Sequence, residues 1–320
     1  MRKFCLSLAL ALSAAFHAFA AYGESFPSKS ITIIAPFPAG SSTDTFARHL
    51  AERMKPLASK PVVVEALGGA NGIIGTNEAR SRQPDGHTIL IGTITTQVAN
   101  YSLYKSVPYQ PSDFKGIACL YRVSPLIAIR STLPIKSIAE LVDYAKQHPG
   151  ELTYGWSSST TKIGGELLSS RTGIGLRPVP YKGSPQIVTD MLGGRVDVYV
   201  DGPPTILSHA KDGTMRVLAT LAPKRAEAMP DAPTLAELGY QNAVMDPWNG
   251  AFVHSETPDV TLQQIAALFD KITATEEFKG DLRKLGLEPW RCAPAELDAT
   301  VRKDIPLWAE LITSAGIEKQ

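Results

Sequence analysis

Two clusters of small and hydroxyl-bearing residues are the stretches of this sequence best suited to ligand or reaction chemistry. The first reads APFPAGSSTDTFAR over residues 35–48, and its candidate ligand-binding residues are Ala39, Gly40, Ser41, Ser42, Thr43 and Asp44. The second reads YGWSSSTTKIGGELL over residues 154–168, and its candidates are Trp156, Ser157, Ser158, Ser159 and Thr160. Hydroxyls and unhindered backbone in such a turn can bind an anion, whereas a serine one helical turn before a lysine can act as a nucleophile.

The first cluster lies where an apolar run typical of a strand gives way to a helical pattern. Backbone N–H groups at a helix N-terminus lack intrahelical partners, and the helix dipole favours a negative group there. Small residues let a ligand approach this backbone. The stretch has no GxxxxGK[ST] lysine, so it suits a carboxylate better than a nucleoside triphosphate. The alternative, in which Ser42, Thr43 or Asp44 only caps the helix, stays open on this stretch alone.

The second cluster repeats the order of strand, turn and helix further along the chain. Two hydroxyl-rich helix N-termini, one in each half of the protein, would hold one ligand across a cleft. Trp156 would narrow the pocket, stack on a flat ligand or pack in the core, and the sequence leaves these roles open. Thr93 and Asp201 each end an apolar run, and they are further candidates for the cleft.

An enzymatic alternative comes from Ser159 and Lys162, which form an SxxK pattern. In serine acyl-transfer enzymes the lysine of this pattern activates the serine. The companion S-D-N and K-T-G elements do not occur, and residues 155–159 lack the closing glycine of a hydrolase elbow. We therefore predict a binding protein without catalytic residues and keep the serine acyl-transfer enzyme as the alternative.

The N-terminus predicts export. Two basic residues precede an apolar run over residues 4–15, and Ala18-Phe19-Ala20 has the small-x-small pattern of a signal peptidase site. We expect residues 1–20 to be a signal peptide that is cleaved near Ala20, and the mature protein to lie in the periplasm. No later run approaches the roughly 20 apolar residues of a membrane span, so no direct membrane insertion is expected.

Charge and cysteine usage exclude several classes of partner. Removal of the two N-terminal basic residues lowers their number from 32 to 30, against 31 acidic residues, with no block of like charge. This balance excludes a nucleic-acid surface, which needs concentrated basic charge. The mature histidines are scattered and neither CxxC nor HExxH occurs, so we expect no metal and no cofactor. Cys119 and Cys292 either form a disulfide or remain two buried thiols.

Short β-rich runs alternate with helical patterns, which predicts an α/β fold with sheets wrapped by helices. Helical spacing occurs at Phe46, Leu50, Met54 and Leu57, and Thr257 as N-cap with Pro258 at the first helical position predicts a later helix. About 300 residues exceed one comfortable core, so we expect two lobes, joined by ordered strands. The strand candidates are residues 31–37, 61–67, 87–93, 152–156, 177–181, 196–202 and 216–222.

Seven segments together resemble the periplasmic substrate-binding receptors of tripartite tricarboxylate transporters, the Bug or TctC family. In chain order they are PFPAGSSTDTFAR, PVVVEALGGANGIIG, PDGHTILIGT, RPVPYKGSP, MLGGRVD, MPDAPTLAELG and WNGAFVHSETP, and they cover essentially the whole mature chain. The joint match is specific, whereas no single segment is. The resemblance implies a two-lobed type II periplasmic-binding-protein fold, or Venus flytrap, in which each lobe is a mixed, mostly parallel sheet flanked by helices.

The resemblance also implies a function. Such receptors close on a small organic acid and deliver it to membrane permease subunits or, in some cases, to a signalling receptor. We expect a di- or tricarboxylate, an acidic amino acid or an aromatic carboxylate as the ligand, and a monomeric receptor. Lobe 1 is expected to take residues 25–122 and 243–320, and lobe 2 residues 123–242.

Two departures from the family's pattern bear on the ligand. Ser41 and Ser42 stand where glycine is common, and residues 156–161 replace a smaller, glycine-bearing turn. The added hydroxyls would bind more carboxylate oxygens directly. Asp44 cannot face a carboxylate without repulsion, so we assign it to N-capping or to holding a bridging water.

Overall fold

Two β-sheets, each flanked by helices, form the computed structural model, which describes residues 26–319. The first sheet contains β1 (Ile31–Ala35), β2 (Val62–Ala66), β3 (Thr88–Thr93), β4 (Phe114–Arg122), β10 (Trp248–His254) and β11 (Glu288–Pro289), in the spatial order β11-β4-β10-β3-β1-β2. The second contains β5 (Leu126–Arg130), β6 (Thr153–Trp156), β7 (Arg177–Pro180), β8 (Val198–Asp201) and β9 (Met215–Thr220), in the order β7-β6-β8-β5-β9. The two-lobed α/β fold predicted from the sequence is confirmed.

Helices connect most of the strands. Those next to the strands of the first sheet in the chain are α1 (Ser42–Met54), α2 (Ile73–Ser81), α3 (Asn100–Leu103), α8 (Asp259–Thr273), α9 (Glu276–Lys284) and α10 (Pro294–Ser314). Those next to the strands of the second are α4 (Ile138–Gln147), α5 (Ser159–Thr172), α6 (Ser184–Leu192) and α7 (Pro203–Lys211). A π-helical turn, Thr95–Ala99, precedes α3, and 3₁₀ turns lie at Ala70–Gly72 and Pro111–Asp113. None of the helices within residues 26–319 combines the length and apolarity that crossing a bilayer requires.

In each sheet most strands point the same way and one inner strand is reversed, and the first sheet also has a reversed edge strand, β11, which lies antiparallel to β4. In the first sheet β1 pairs in parallel with β2 and β3, whereas β10 lies antiparallel between β3 and β4. In the second, β6 pairs in parallel with β7 and β8, whereas β5 lies antiparallel to β8 and β9. Both β5 and β10 are the first strands that the chain forms after it passes from one sheet to the other.

The two passages between the sheets lie side by side. Three residues separate the end of β4 at Arg122 from the start of β5 at Leu126. The backbone N–H of Val123 in this connection donates to the carbonyl of Pro247, just before β10, over 2.8 Å. The first passage is therefore short and is hydrogen-bonded to the end of the second, which runs over residues 221–247 between β9 and β10.

The apolar pattern of the first helix places it on its sheet. Phe46, Leu50 and Met54 of α1 are fully buried in one cluster with Ile31 and Ile33 of β1. This part of the predicted helical stripe is confirmed. Leu57, which continues the pattern, is 50% exposed because α1 ends at Met54.

The structure decides two further points of local structure. Cys119 on β4 and Cys292 before α10 form a disulfide, with their Cα atoms 5.2 Å apart. The predicted start of α8 was one residue early, because Pro258 has an extended ψ of 140° and itself occupies the N-cap. The Thr257 hydroxyl is buried and makes no hydrogen bond to any described residue.

Candidate functional site

A cleft lies between the two sheets, where β1, β3, β6 and β8 end. Its cavity has a volume of about 90 Å³. Carboxyl ends of strands in α/β sheets are the usual position of ligand sites. The lining includes eight of the residues singled out in the sequence, namely Ser41, Ser42, Thr43, Thr93, Ser157, Ser158, Thr160 and Asp201.

The first hydroxyl cluster forms the start of α1. The Ser41 hydroxyl caps this helix and accepts a hydrogen bond from the Asp44 backbone N–H at 3.3 Å. The Asp44 carboxylate in turn accepts from the Gly40 N–H at 2.9 Å and pairs with Arg48 at 3.0 Å. Asp44 therefore holds the loop from inside, and the helix cap is Ser41 rather than Asp44.

The geometry of this loop turns its first helical residues toward the cleft. Gly40 has a φ of +78°, which residues with a side chain rarely adopt. Ser42 and Thr43 occupy the first two helical positions, where backbone N–H groups have no intrahelical acceptor. Ala39, Gly40 and Asp44 lie outside the lining of the cleft cavity.

The second hydroxyl cluster forms the start of α5. The Ser158 hydroxyl accepts from the Thr161 N–H at 3.3 Å, and the Thr161 hydroxyl accepts from the N–H groups of Ser157 and Ser158, both at 3.0 Å. This reciprocal cap fixes the turn. Ser157, Ser158 and Thr160 face the cleft as a result.

Ser159 lies away from the cleft lining. Its side chain is fully buried, and its hydroxyl donates to the Asn100 side-chain oxygen at 2.8 Å. The Lys162 ammonium lies 5.1 Å from the centre of the Trp156 ring. Within residues 26–319 no hydrogen bond joins Ser159 to Lys162, so the described arrangement differs from an SxxK pair in which the lysine activates the serine.

Two further helices, α6 and α7, also begin at the cleft, and the sequence reasoning had not included the start of α6. Gly183 and Ser184 at the start of α6 line the cavity, as do Gly202 and Pro204 at the start of α7. The signal in the sequence was a small residue followed by proline, directly after a predicted strand, because proline is favoured in the first helical turn.

Asp201 joins these two helix starts. Its carboxylate accepts hydrogen bonds from the hydroxyls of Tyr199 at 2.6 Å and Ser184 at 3.0 Å and from the Gly202 N–H at 2.8 Å. Burial raises the pKa of the Asp201 carboxyl, although these hydrogen bonds oppose the rise. The protein thus places its own acidic group at the starts of α6 and α7.

Electrostatic attraction for an anion in this cleft comes from the backbone. Asp201 is the only charged side chain among the described residues that line the cavity. Four helices, α1, α5, α6 and α7, begin there, and the N-terminus of a helix carries a partial positive charge. The Asp201 carboxylate already accepts hydrogen bonds from Ser184 and Gly202 at the starts of α6 and α7. The backbone N–H groups at the starts of α1 and α5 are therefore the ones available to a ligand.

Hydroxyl groups join the two lobes around the cleft. Ser42 of α1 lies 2.9 Å from the Thr205 hydroxyl of α7. The Thr95 and Thr160 hydroxyls lie 2.7 Å apart. Together with the contact between Ser159 and Asn100, these hydrogen bonds hold the lobes in a closed arrangement.

The strand ends complete the cleft on the side of the first sheet. The Thr93 hydroxyl accepts from the Thr96 N–H at 3.2 Å, which fixes the turn after β3. Trp248 is buried, and its indole N–H donates to Asp304 at 2.7 Å, so its polar group is already satisfied. Asn249 also lines the cavity, is 6% exposed and has a side-chain oxygen without a partner in the described part of the chain. Sequence reasoning missed Asn249, since an isolated asparagine in an apolar strand gives no distinct signal.

Trp156 lies beside the cleft rather than in it. It lines a second cavity together with Ala39, Tyr181 and Lys182. The ring also packs against buried residues of the core, which is one of the roles left open in the sequence. Across residues 26–319 no cluster of histidine, cysteine, aspartate and glutamate has the geometry to hold a metal ion.

Comparison with known proteins assigns the chain to a family. Residues 46–317 match the family described as the tripartite tricarboxylate transporter family receptor, TctC. Protein BugT of Bordetella pertussis is 30% identical over 297 residues, which cover 92% of this chain and 91% of the relative.

Solved structures give the same assignment. An adipate-bound protein from R. palustris superposes with a TM-score of 0.89 at 30% identity, over 92% of this chain and all of that one. The periplasmic binding protein BugD superposes with a TM-score of 0.87 at 32% identity, over 92% and 100% of the two chains. MatC from Rhodopseudomonas palustris, with bound malate, gives 0.83 at 25% identity, over 90% and 100%. The chain therefore belongs to the TctC, or Bug, family of periplasmic solute receptors.

Proposed function

We propose that this protein binds a small carboxylate in the cleft between its lobes and delivers it to the membrane permease subunits of a tripartite tricarboxylate transporter. The observation that carries the proposal is the convergence of helix N-termini and hydroxyls on a cleft without a basic side chain. Such a site favours one compact negative group over a polyphosphate. The adipate and malate bound by two structural relatives support a carboxylate as that group.

In this proposal the ligand's carboxylate lies between the starts of α1 and α5. Backbone N–H groups of Ser42 and Thr43 and the hydroxyls of Ser158 and Thr160 are its donors. The inner residues Gly40 and Asp44 shape the first loop and make no contact with the ligand. Asp201 stays at the other helix starts, where its own hydrogen bonds stabilise it.

Binding is coupled to closure of the lobes. Lobe 1 takes residues 25–122 and 243–320, lobe 2 takes residues 123–242, and the hinge is formed by the adjacent connections at Val123 and Pro247. A ligand that contacts both lobes only when they are closed shifts the open and closed populations toward the closed form. The receptor acts as a monomer in the periplasm after its signal peptide is removed near Ala20.

A thermal-shift screen of ligand-free protein tests the proposal. Mono-, di- and tricarboxylates, acidic amino acids and aromatic acids form the panel. A ligand at a hundred times its dissociation constant stabilises a protein by about 2.7 kcal/mol. A shift with one class of acid is the expected result, and silence across the panel from a folded protein would overturn the carboxylate assignment.

A further inference from the structure

A second cavity opens directly beside the cleft. It has a volume of about 690 Å³ and lies between the glycine-rich turn after β2 and the ends of β6 and β7. Phe37, Pro38 and Ser157 line both cavities, so the two spaces adjoin. A ligand whose carboxylate lies in the inner cleft therefore has room for a larger group in the outer cavity.

Aromatic residues from both lobes line the outer cavity. Phe37 and Tyr104 lie on the first lobe, and Trp156 and Tyr181 lie on the second. Aromatic rings attract one another in offset or edge-to-face arrangements, beyond the effect of buried area. The glycine-rich turn at residues 68–72 brings backbone rather than bulky side chains to the opposite wall.

Two neighbouring contacts hold these rings in place. The Lys162 ammonium lies over the Trp156 ring at 5.1 Å, and the Tyr181 hydroxyl donates to Asp190 at 2.7 Å. Both rings are thus positioned before a ligand arrives, which lowers the entropy lost on binding.

The charge at the outer cavity also favours an aromatic ligand. Lys182 is the only charged residue among the described ones that line it. A lysine attracts the face of an aromatic ring as well as an anionic substituent on it. An alkyl chain gains nothing from the cation, whereas an aromatic group gains from both the cation and the rings.

We propose that the ligand is an aromatic carboxylate, whose carboxylate binds between the starts of α1 and α5 and whose ring lies against Trp156 in the outer cavity. This inference rests on the proposed function. Trp156 and Lys182 are then the residues that determine specificity, and they lie on the lobe opposite Phe37 and Tyr104, so the ring also bridges the two lobes.

Isothermal titration with matched acids tests the inference. The probes are 3-phenylpropionate, 3-cyclohexylpropionate with a ring of similar size but no π-system, and malate without a ring. The wild-type protein is expected to bind the phenyl acid most tightly. Trp156→Ala should weaken binding of the phenyl acid about ten-fold or more and change binding of malate less than two-fold.

Two further variants separate stacking by an aromatic ring from the effect of losing side-chain bulk. Trp156→Phe keeps an aromatic ring, so it should restore most of the affinity for the phenyl acid, whereas Trp156→Leu should not. Phenyl acid binding should also change the intrinsic fluorescence of the wild type, and this change should be smaller in Trp156→Phe although binding persists, because Trp248 also lines the inner cleft and contributes to the signal.

The possible results distinguish the aromatic assignment from the carboxylate function. If malate or adipate binds but the phenyl acid does not, or if Trp156→Ala leaves the affinity for the phenyl acid unchanged, the aromatic assignment is wrong and the carboxylate function stands. A preference for adipate that is lost in Lys182→Met would instead assign the outer cavity to a second carboxylate. If no acid binds, both proposals fail.

Discussion

Gly40 fixes the loop that precedes the proposed carboxylate site. Its φ of +78° costs a residue with a side chain about 1–2 kcal/mol, and the Cβ atom of such a residue would lie 3.5 Å from Pro185 on the other lobe. Gly40→Val should therefore strain the loop and oppose closure. We expect the affinity for the tightest-binding acid to fall at least ten-fold in isothermal titration, with the native circular dichroism spectrum retained.

Gly150 supplies the matched control. It has a φ of +75° and no atom within 4 Å of an added Cβ. Gly150→Val should thus lose similar stability from backbone strain and bind ligand normally. Normal affinity in Gly40→Val would contradict the assignment of this loop to the binding site.

Asp201 gives the protein a pH dependence with a defined sign. Burial raises its pKa in the folded state above the ordinary value of 3.8. The folded state then binds the proton more tightly than the unfolded state, so the contribution to stability is complete below the ordinary pKa and is lost as the pH rises through the raised one. We expect the ligand-free wild type to lose stability relative to Asp201→Asn as the pH rises above the ordinary range for aspartate.

Denaturant unfolding at a series of pH values measures this difference. Asp212→Asn is a control of opposite sign, since hydrogen bonds from Thr214 lower the pKa of Asp212. The wild type should gain stability relative to that variant as the pH rises through the ordinary range for aspartate. If the wild type also gained stability relative to Asp201→Asn as the pH rises, burial would not destabilise the ionised Asp201 carboxylate.

At the residue scale, the sequence reveals which side chains gather but not what each one contacts. Ser41, Ser42 and Thr43 reach the cleft as predicted from their place at a helix start. Ser159 does not, because its position in the first turn of α5 directs it to Asn100, a contact across 59 residues of sequence. Asn249 was missed because an isolated asparagine in an apolar strand does not indicate by itself that the strand ends at a cleft.

At the scale of elements, hydroxyl pairs between helix starts stabilise the closed form. Thr160 on α5 and Thr95 after β3 are joined at 2.7 Å across the cleft. A hydrogen bond of this kind contributes about 0.5–1.5 kcal/mol. Thr160→Val keeps the shape of the side chain and removes the bond, so ligand affinity should fall about five-fold.

A double-mutant cycle separates this contact from a direct contact between Thr160 and the ligand. If the hydroxyl pair is responsible, Thr95→Val, Thr160→Val and the double variant should lose similar affinity. Additive losses would show that the two hydroxyls act independently. Thr300→Val, which removes an exposed hydroxyl bonded within α10 to Glu296, should have no effect.

The disulfide ties β4 to the start of α10. Cys119 and Cys292 are separated by 173 residues, which include the whole second sheet. A disulfide commonly stabilises a protein by about 2–4 kcal/mol, chiefly by restricting the unfolded chain. The variant with both cysteines changed to serine should therefore unfold at lower urea concentration and bind ligand normally.

Reduction of the disulfide in the wild type tests this prediction. Reduction should lower the stability of the wild type to that of the double serine variant and leave the variant unchanged. Equal unfolding curves for the wild type with and without reductant would contradict a stabilising disulfide.

Local sequence patterns predict which helices and strands form better than they predict where a helix begins or which residues pair across the structure. The buried stripe of α1 and seven of the described strands were predicted from apolar runs, because the residues that form those runs are largely the ones that pack in the sheets. The strands β4, β5, β10 and β11 were not among the candidates. The start of α8 was wrong by one residue, since the conformation of Pro258 is decided by the turn that leads into it. The disulfide stayed open because sequence contains no information on the distance between two Cα atoms.

At the scale of the whole molecule, two sheets joined by two adjacent, hydrogen-bonded connections place four helix N-termini around one cleft. No basic side chain from the described residues lines it, so the negative charge of a ligand must be stabilised by backbone dipoles and hydroxyls. In the proposed binding mode this arrangement couples recognition to closure, because the proposed donors come from both lobes.

The most direct test of this account is isothermal titration of the wild-type protein with the tightest-binding acid and with its neutral carboxamide. The two ligands have nearly the same shape and differ in charge at the group that α1 and α5 are proposed to bind. We predict that the amide binds at least ten-fold more weakly, a difference of about 1.4 kcal/mol. Equal affinity for the acid and the amide would contradict the central claim that the cleft recognises a carboxylate.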